Sequence, residues 1–122
     1  SDPVCATDWQ PISAVRRSML ANFFSWLPIA IEQGGGRSWH LLSDFSIARL
    51  LRSAETPAQR KSLLASKLGE AVNGGRIELV PAPVCQPEER VAEVLKRSNG
   101  LPVLVVGAEG DLRGILTPFD VL

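Results

Sequence analysis

The sequence predicts a mixed α/β (α+β) chain of two pseudo-symmetric β-α-β-β-α subdomains packed sheet to sheet. Two observations predict it. The second half of the chain repeats the first, and strand-like and helix-like periodicities follow one another in the same order in each half. Residues 26–48 align with 100–122 without a gap at an offset of 74, with Leu27/Leu101, Pro28/Pro102, Gly36/Gly110, Leu42/Leu116 and Phe45/Phe119 identical. Further upstream the offset becomes 76, pairing Val4/Val80, Ala6/Ala82, Gln10/Gln86, Pro11/Pro87 and Val15/Val91, which puts two extra residues in the first copy ahead of Trp26. A three-stranded sheet with helices on one side leaves its other face bare. A second copy packed against that face is the physical reason for a duplication.

The elements follow in order. Pro11–Ala21 spaces Ile12, Val15, Met19 and Leu20 at helical intervals, with Arg16 and Arg17 opposite. Leu27–Ile31 reads as a short buried strand, Gly34–Gly36 as a turn and Trp39–Leu42 as the returning strand of a hairpin. Ser43 caps a helix carrying Phe45, Ile47, Leu50 and Leu51. Thr56-Pro57-Ala58-Gln59 combines an N-cap, a proline at the first helical position and a glutamine three residues on. It opens a single helix through Leu63, Leu64 and Leu68 that stops at Asn73-Gly74-Gly75. The second copy begins near Ile77–Val80, continues with a helix over Pro87–Arg97 and a hairpin of Leu101–Val106 and Leu112–Leu116, and enters its final helix at Thr117-Pro118-Phe119-Asp120. The expected divisions are 1–55, an inter-motif helix and linker at 56–76, and 77–122.

At 122 residues the chain is one domain's worth and buries roughly two-thirds of its unfolded surface. An apolar content of 45% excludes disorder. Thirteen basic residues balance thirteen acidic ones, which argues against nucleic acid as a partner, since counterion release needs a basic excess. Cys5, Cys85 and His40 do not make a zinc site of ordinary spacing, and the two thiols are expected to stay reduced. The apolar runs are too short to cross a bilayer. The chain starts at Ser1, as an excised piece of a longer protein would. No nucleophile–base pair, metal cluster or paired carboxylate marks an enzyme.

The run Leu101-Pro102-Val103, a hairpin, then Gly114-Ile115-Leu116-Thr117-Pro118-Phe119-Asp120 resembles a cystathionine-β-synthase-type (CBS) domain. The tandem resembles a CBS pair, or Bateman module. The resemblance covers essentially the whole chain and is strongest in the second copy. It implies a non-catalytic regulatory module for an adenosine-type ligand (AMP, ADP, ATP or S-adenosylmethionine), with no catalytic cofactor. It implies that Thr117 meets a phosphate or ribose oxygen and Asp120 the ribose hydroxyls, with Ala82, Pro83, Leu101 and Pro102 forming an apolar wall for adenine. It also implies a homodimer through the helices and a cytoplasmic setting, in which this module controls a fused or partner protein.

The chemistry stands beside the resemblance. A carboxylate accepts two hydrogen bonds from a cis-diol, a helix N-terminus attracts phosphate, and Gly114 lets a ligand or neighbouring strand approach closely. The same Thr-Pro-Phe-Asp is also an ordinary helix start, so capping alone accounts for Thr117 and Asp120. The alternative function is therefore a structural dimerisation module with empty pockets. In the first copy His40 stands where the pattern has Gly114 and Ser46 where it has Asp120. Asp44 lies two residues early, about 200° around a helix, and does not replace the missing carboxylate. That half-site reads as defective for nucleotides. Gly34–Gly36 is a turn rather than a phosphate cradle, because no Lys-Ser/Thr follows. Arg16/Arg17 and Lys96/Arg97 read as solvated helix faces, and Phe23, Phe24 and Trp26 as core or dimer contacts.

Overall fold

The computed structural model describes residues 3–117. The chain is a mixed α+β fold with two small sheets, divided into two compact units, Val4–Val80 and one that starts at Pro81 and includes Pro3.

The first unit runs β1 (Ala6–Thr7), α1 (Ile12–Asn22), β2 (Trp26–Gln33), β3 (Gly36–Ser43), α2 (Asp44–Arg52), α3 (Pro57–Ala65) and α4 (Leu68–Asn73). Strand β1 lies parallel to β2, and β2 and β3 form an antiparallel hairpin from Trp26↔Ser43 to Gln33↔Gly36. Its two-residue turn is Gly34–Gly35, with φ of 55° and 81°. Positive φ at both positions matches the twist of the strands, and glycine adopts it without penalty. The short strand β4 (Val80–Pro81) adds to the far side of β3. The period-2 alternation sends Leu27, Ile29 and Leu42 to the helices, where they meet Ile12, Val15 and Met19 of α1 and Ile47, Leu50 and Leu51 of α2. Leu68, Ala71 and Ile77 complete that core, and Leu63 and Leu64 pack partly buried against it.

The caps form much as expected. Ser43 Oγ accepts the Ser46 N–H at 3.1 Å, and Thr56 Oγ1 accepts the Gln59 N–H at 3.1 Å. Gln59 reaches back one residue beyond the cap, its Oε1 accepting the Glu55 N–H.

The single helix expected from Thr56 to Asn73 is two helices. Ser66 is extended (ψ 154°), and its side chain donates to the Leu63 carbonyl at 2.7 Å. The break is tertiary in origin. The Ile12 N–H donates to the Ser66 carbonyl and the Leu68 N–H to the Gln10 carbonyl, both at 2.9 Å, making an antiparallel bridge between Pro11 and Lys67. A third bond, Gly69 N–H to the Asp8 carbonyl at 2.7 Å, ties α4 to the turn ahead of α1.

The second unit contains β5 (Val84–Cys85), α5 (Val91–Lys96), β6 (Val103–Val106) and β7 (Leu112–Leu116), with sheet order β5-β6-β7. Cys85, Val94 and Val103 form its small core, with Leu95, Val105 and Leu116 against it. The helix expected over Pro87–Arg97 starts only at Val91. Before it the chain turns, the Gln86 N–H meeting the Glu89 carboxylate at 2.7 Å and the Glu89 N–H meeting the Gln86 carbonyl at 3.1 Å. Both cysteines are free thiols, Cys5 exposed and Cys85 buried.

The repeat is real, but the sheets correct its register. Across the first sheet Ala6 pairs with Ile29 and Ile29 with His40; across the second Cys85 pairs with Val105 and Val105 with Gly114. Cys85 lies 79 residues after Ala6, Val105 lies 76 after Ile29, and Gly114 lies 74 after His40. The helix N-caps Pro11 and Arg90 are also 79 apart. The left-handed residues after each helix, Phe23 and Asn99, are 76 apart. The offset of 74 thus holds for β3 and β7 only. The identities Leu27/Leu101 and Pro28/Pro102 are not spatial equivalents, since Val103 and Leu104 occupy those places. Val15 likewise corresponds to Val94 rather than Val91, and both are buried. The first copy is longer by three residues around its helix and by two in its hairpin. A hydrophobic pattern survives such slips, because apolar residues recur every two residues in strands and every three or four in helices.

Candidate functional site

In the second unit β6 lies between β5, which runs parallel to it, and β7, which runs antiparallel. The starts of β5 and β6 and the end of β7 therefore share one end of the sheet. The Leu104 N–H donates to the Pro83 carbonyl at 2.8 Å, fixing Ala82–Pro83 beside the start of β6. On the other side Val103 pairs with Leu116, which brings Thr117 alongside Leu101–Pro102. Ala82, Pro83, Leu101, Pro102 and Thr117 are all half-buried. Gly114 is set back three residues along β7, on the order of 10 Å at strand rise. It pairs with Val105, and a Cβ built on it would meet the Val105 side chain at an ordinary 3.9 Å. The strand itself therefore does not demand glycine there. Asp120, with Pro118 and Phe119, lies outside the described residues.

The same end of the first sheet is chemically different. Ser46, which stands at the Asp120 position, shares a 2.9 Å hydrogen bond with the Ser43 hydroxyl, while its N–H is capped by the same oxygen. Both hydroxyls are committed to starting α2. The Asp44 N–H donates to the Ser25 carbonyl at 2.9 Å. His40, at the Gly114 position, approaches Ser38 Oγ through Nε2 at 3.1 Å. It borders a cleft of about 400 Å³ with Ile31, Val72, Ile77 and Leu79. Among the described residues no group of three or more His, Cys, Asp or Glu side chains is placed to hold a metal ion.

A second cleft, of about 390 Å³, has no counterpart in the sequence reading. Met19, Leu20, Ile47 and Leu51 floor it, and Arg16, Arg52 and Arg60 stand round it, one from each of α1, α2 and α3. Asp44 is its one acidic neighbour. The sequence signal was available in the arginines, but only helix packing shows that three separate helices bring them together.

Comparison with solved structures decides the fold. The CBS domain of a CBS domain-containing membrane protein from Sphaerobacter thermophilus is similar over 99% of this chain and 80% of its own, with 19% identity and a TM-score of 0.67. A hemolysin-like protein containing a CBS domain from Oenococcus oeni is similar over 98% of this chain and 78% of its own, with 14% identity and a TM-score of 0.66. The fold is that of a CBS-domain pair. CBSX2 in complex with AMP shares this CBS-pair fold at 19% identity and a TM-score of 0.61, over 98% of this chain and 84% of its own. No protein-family model matches the sequence, and comparison with curated proteins finds no match. At these identities the likeness carries the CBS-pair fold alone. Among the described residues no helix is long and apolar enough to cross a membrane.

Proposed function

We propose that this chain is a non-catalytic regulatory module that binds an adenosine-type ligand through its second motif and controls a fused or partner protein on the cytoplasmic side. The observation that carries this reading is the meeting of Ala82–Pro83, Leu101–Pro102 and Thr117 at one end of the second sheet. Two Xaa-Pro segments give a flat apolar wall for a base, and the hydroxyl of Thr117 stands where β7 gives way to the Thr-Pro-Phe-Asp sequence. Asp120 supplies the carboxylate for a ribose, AMP, ADP, ATP and S-adenosylmethionine sharing that sugar. The AMP complex of CBSX2 shows that this fold accepts such a ligand in another protein.

A thermal-shift screen of the four compounds tests the reading. A ligand specific for the folded state raises stability by about 2.7 kcal/mol at a hundredfold excess over Kd. No shift with any of the four would reject the proposal, and turnover of any would make the chain an enzyme. The second reading is a dimerisation module without ligand. It is favoured by the exposure of Leu20, Phe23 and Phe45 at the helical surface of the first unit. Of the apolar residues after Thr56, Leu68 is buried in the first core, while Leu63 and Leu64 stay half-buried at its edge.

A further inference from the structure

His40 has no counterpart in the second copy, and it builds something the second copy lacks. It pairs with Ile29 across the hairpin and lies two residues before the buried Leu42, so its side chain is on the helix side of the first sheet. Gly114 holds the same place in the second sheet, paired with Val105, and contributes no side chain. The His40 ring is half-buried, and Ser38 Oγ, 3.1 Å from Nε2, steadies it. It forms one wall of the cleft of about 400 Å³ already described. That volume falls within the usual span of small-molecule sites, roughly 300–1,000 Å³.

The remaining walls are apolar with a single sign of charge. Ile31 comes from β2, Val72 from the last turn of α4, and Ile77 and Leu79 from the segment that leads into β4. Gly75, at φ 74°, leaves bare backbone between them. Among the described residues the charged side chain in the lining is Glu78, which is exposed and belongs to no ion pair. Three other clefts of the first unit each have arginine in their walls, whereas this one has neither arginine nor lysine among its described lining residues. Arg76, close by in sequence, turns away to Ser53 Oγ at 3.4 Å. The end of α4 also lies here, and a helix C-terminus favours positive charge.

We infer that this cleft binds a small organic monocation, a primary amine on a branched-aliphatic or aromatic body. The body covers the aliphatic walls, and the ammonium donates to the Glu78 carboxylate in a charge-assisted hydrogen bond. An anion would meet Glu78 with no cation in the lining to answer it. A divalent metal ion needs more donors than His40 and Glu78 supply, and among the described residues no group of three or more is placed to hold one. The first copy, with Ser46 at the Asp120 position, thereby has a ligand of a different class. The inference does not rest on the nucleotide reading.

Titration of the whole chain with phenethylamine, followed through backbone amide shifts in NMR, tests it. Saturating shifts are expected at His40, Val72 and residues 75–79, with a Kd on the order of 1 mM or tighter, the reach of so small a ligand. 2-Phenylethanol keeps the body and drops the charge, and should bind about tenfold more weakly; 3-phenylpropionate should not bind measurably. Glu78→Gln should bring phenethylamine down to the level of the alcohol, and because Glu78 is exposed the variant leaves the core intact. Val72→Trp should fill the cleft and abolish binding, and His40→Gly, which installs the second copy's residue, should weaken it. Shifts that do not saturate, shifts centred on the arginine-lined clefts, equal affinity for amine and alcohol, or indifference to Glu78→Gln overturn the inference. Nα-acetyl-lysine amide binding as tightly as phenethylamine would make the cleft a slot for a partner protein's lysine, and overturns it too.

Discussion

Replacing Phe23 by asparagine should make the chain more stable although it deletes an aromatic ring. The left-handed conformation costs an ordinary residue roughly 1–2 kcal/mol, and asparagine recovers part of this through local hydrogen bonding. The ring is 94% exposed, so its removal forfeits almost no burial. The Phe23 N–H to Met19 carbonyl bond belongs to the backbone and survives the change. A gain of about 0.5–1 kcal/mol follows, in the range of helix-cap optimisation, worth roughly 2–5 °C in melting temperature for a chain of this size. Calorimetry or thermal circular dichroism on Phe23→Asn and Phe23→Ala separates backbone from ring. Alanine keeps the backbone penalty and removes the ring, so it should stay close to the wild type while asparagine rises. If alanine and asparagine rise together, exposure of the ring rather than the backbone is the source of strain. If both fall by more than about 1 kcal/mol, Phe23 is buried in solution and the reasoning fails.

Three further outcomes are expected. Asp120→Ala should weaken nucleotide binding by about 1.5–3 kcal/mol in calorimetry, the worth of hydrogen bonds to a charged group, while Thr117→Ala should weaken AMP more than adenosine. A titration should saturate at one nucleotide per chain, because the first copy offers Ser46 where the second offers Asp120; two equivalent sites would contradict this. The Gln86 N–H and then the Arg97 guanidinium hold the Glu89 carboxyl below its ordinary value of 4.5. A carboxylate depressed on folding stabilises above its unfolded pKa and loses that contribution as pH falls through the folded one. The acid limb of the stability curve below about pH 4.5 should therefore flatten in Glu89→Gln, and an unchanged limb would remove Glu89 from that account.

Much of this molecule is legible in its residues. Apolar spacing located α1, β2, β3, α2, β6 and β7, and the caps Ser43 and Thr56 formed as written, because these features depend on neighbours within a few residues. The CBS-pair fold was legible in the same way, through the repeat and the Gly-Ile-Leu-Thr-Pro-Phe-Asp run. Tertiary structure alone decided the break at Ser66–Lys67. No residue there forbids a helix, and the bonds from Ile12 and to Gln10 come from more than fifty residues away. It also decided the register of the repeat. Identities at Pro28/Pro102 and Pro11/Pro87 suggest one alignment while the strand pairs enforce another, and only hydrogen bonding across a sheet distinguishes a slip of two or three residues. The meeting of Ala82–Pro83 with Pro102 and Thr117, and of three arginines from three helices, belongs to this second kind of knowledge. Sequence determines which side chains are available and how each segment curls, whereas which of them share a surface is set by packing between segments distant in the chain.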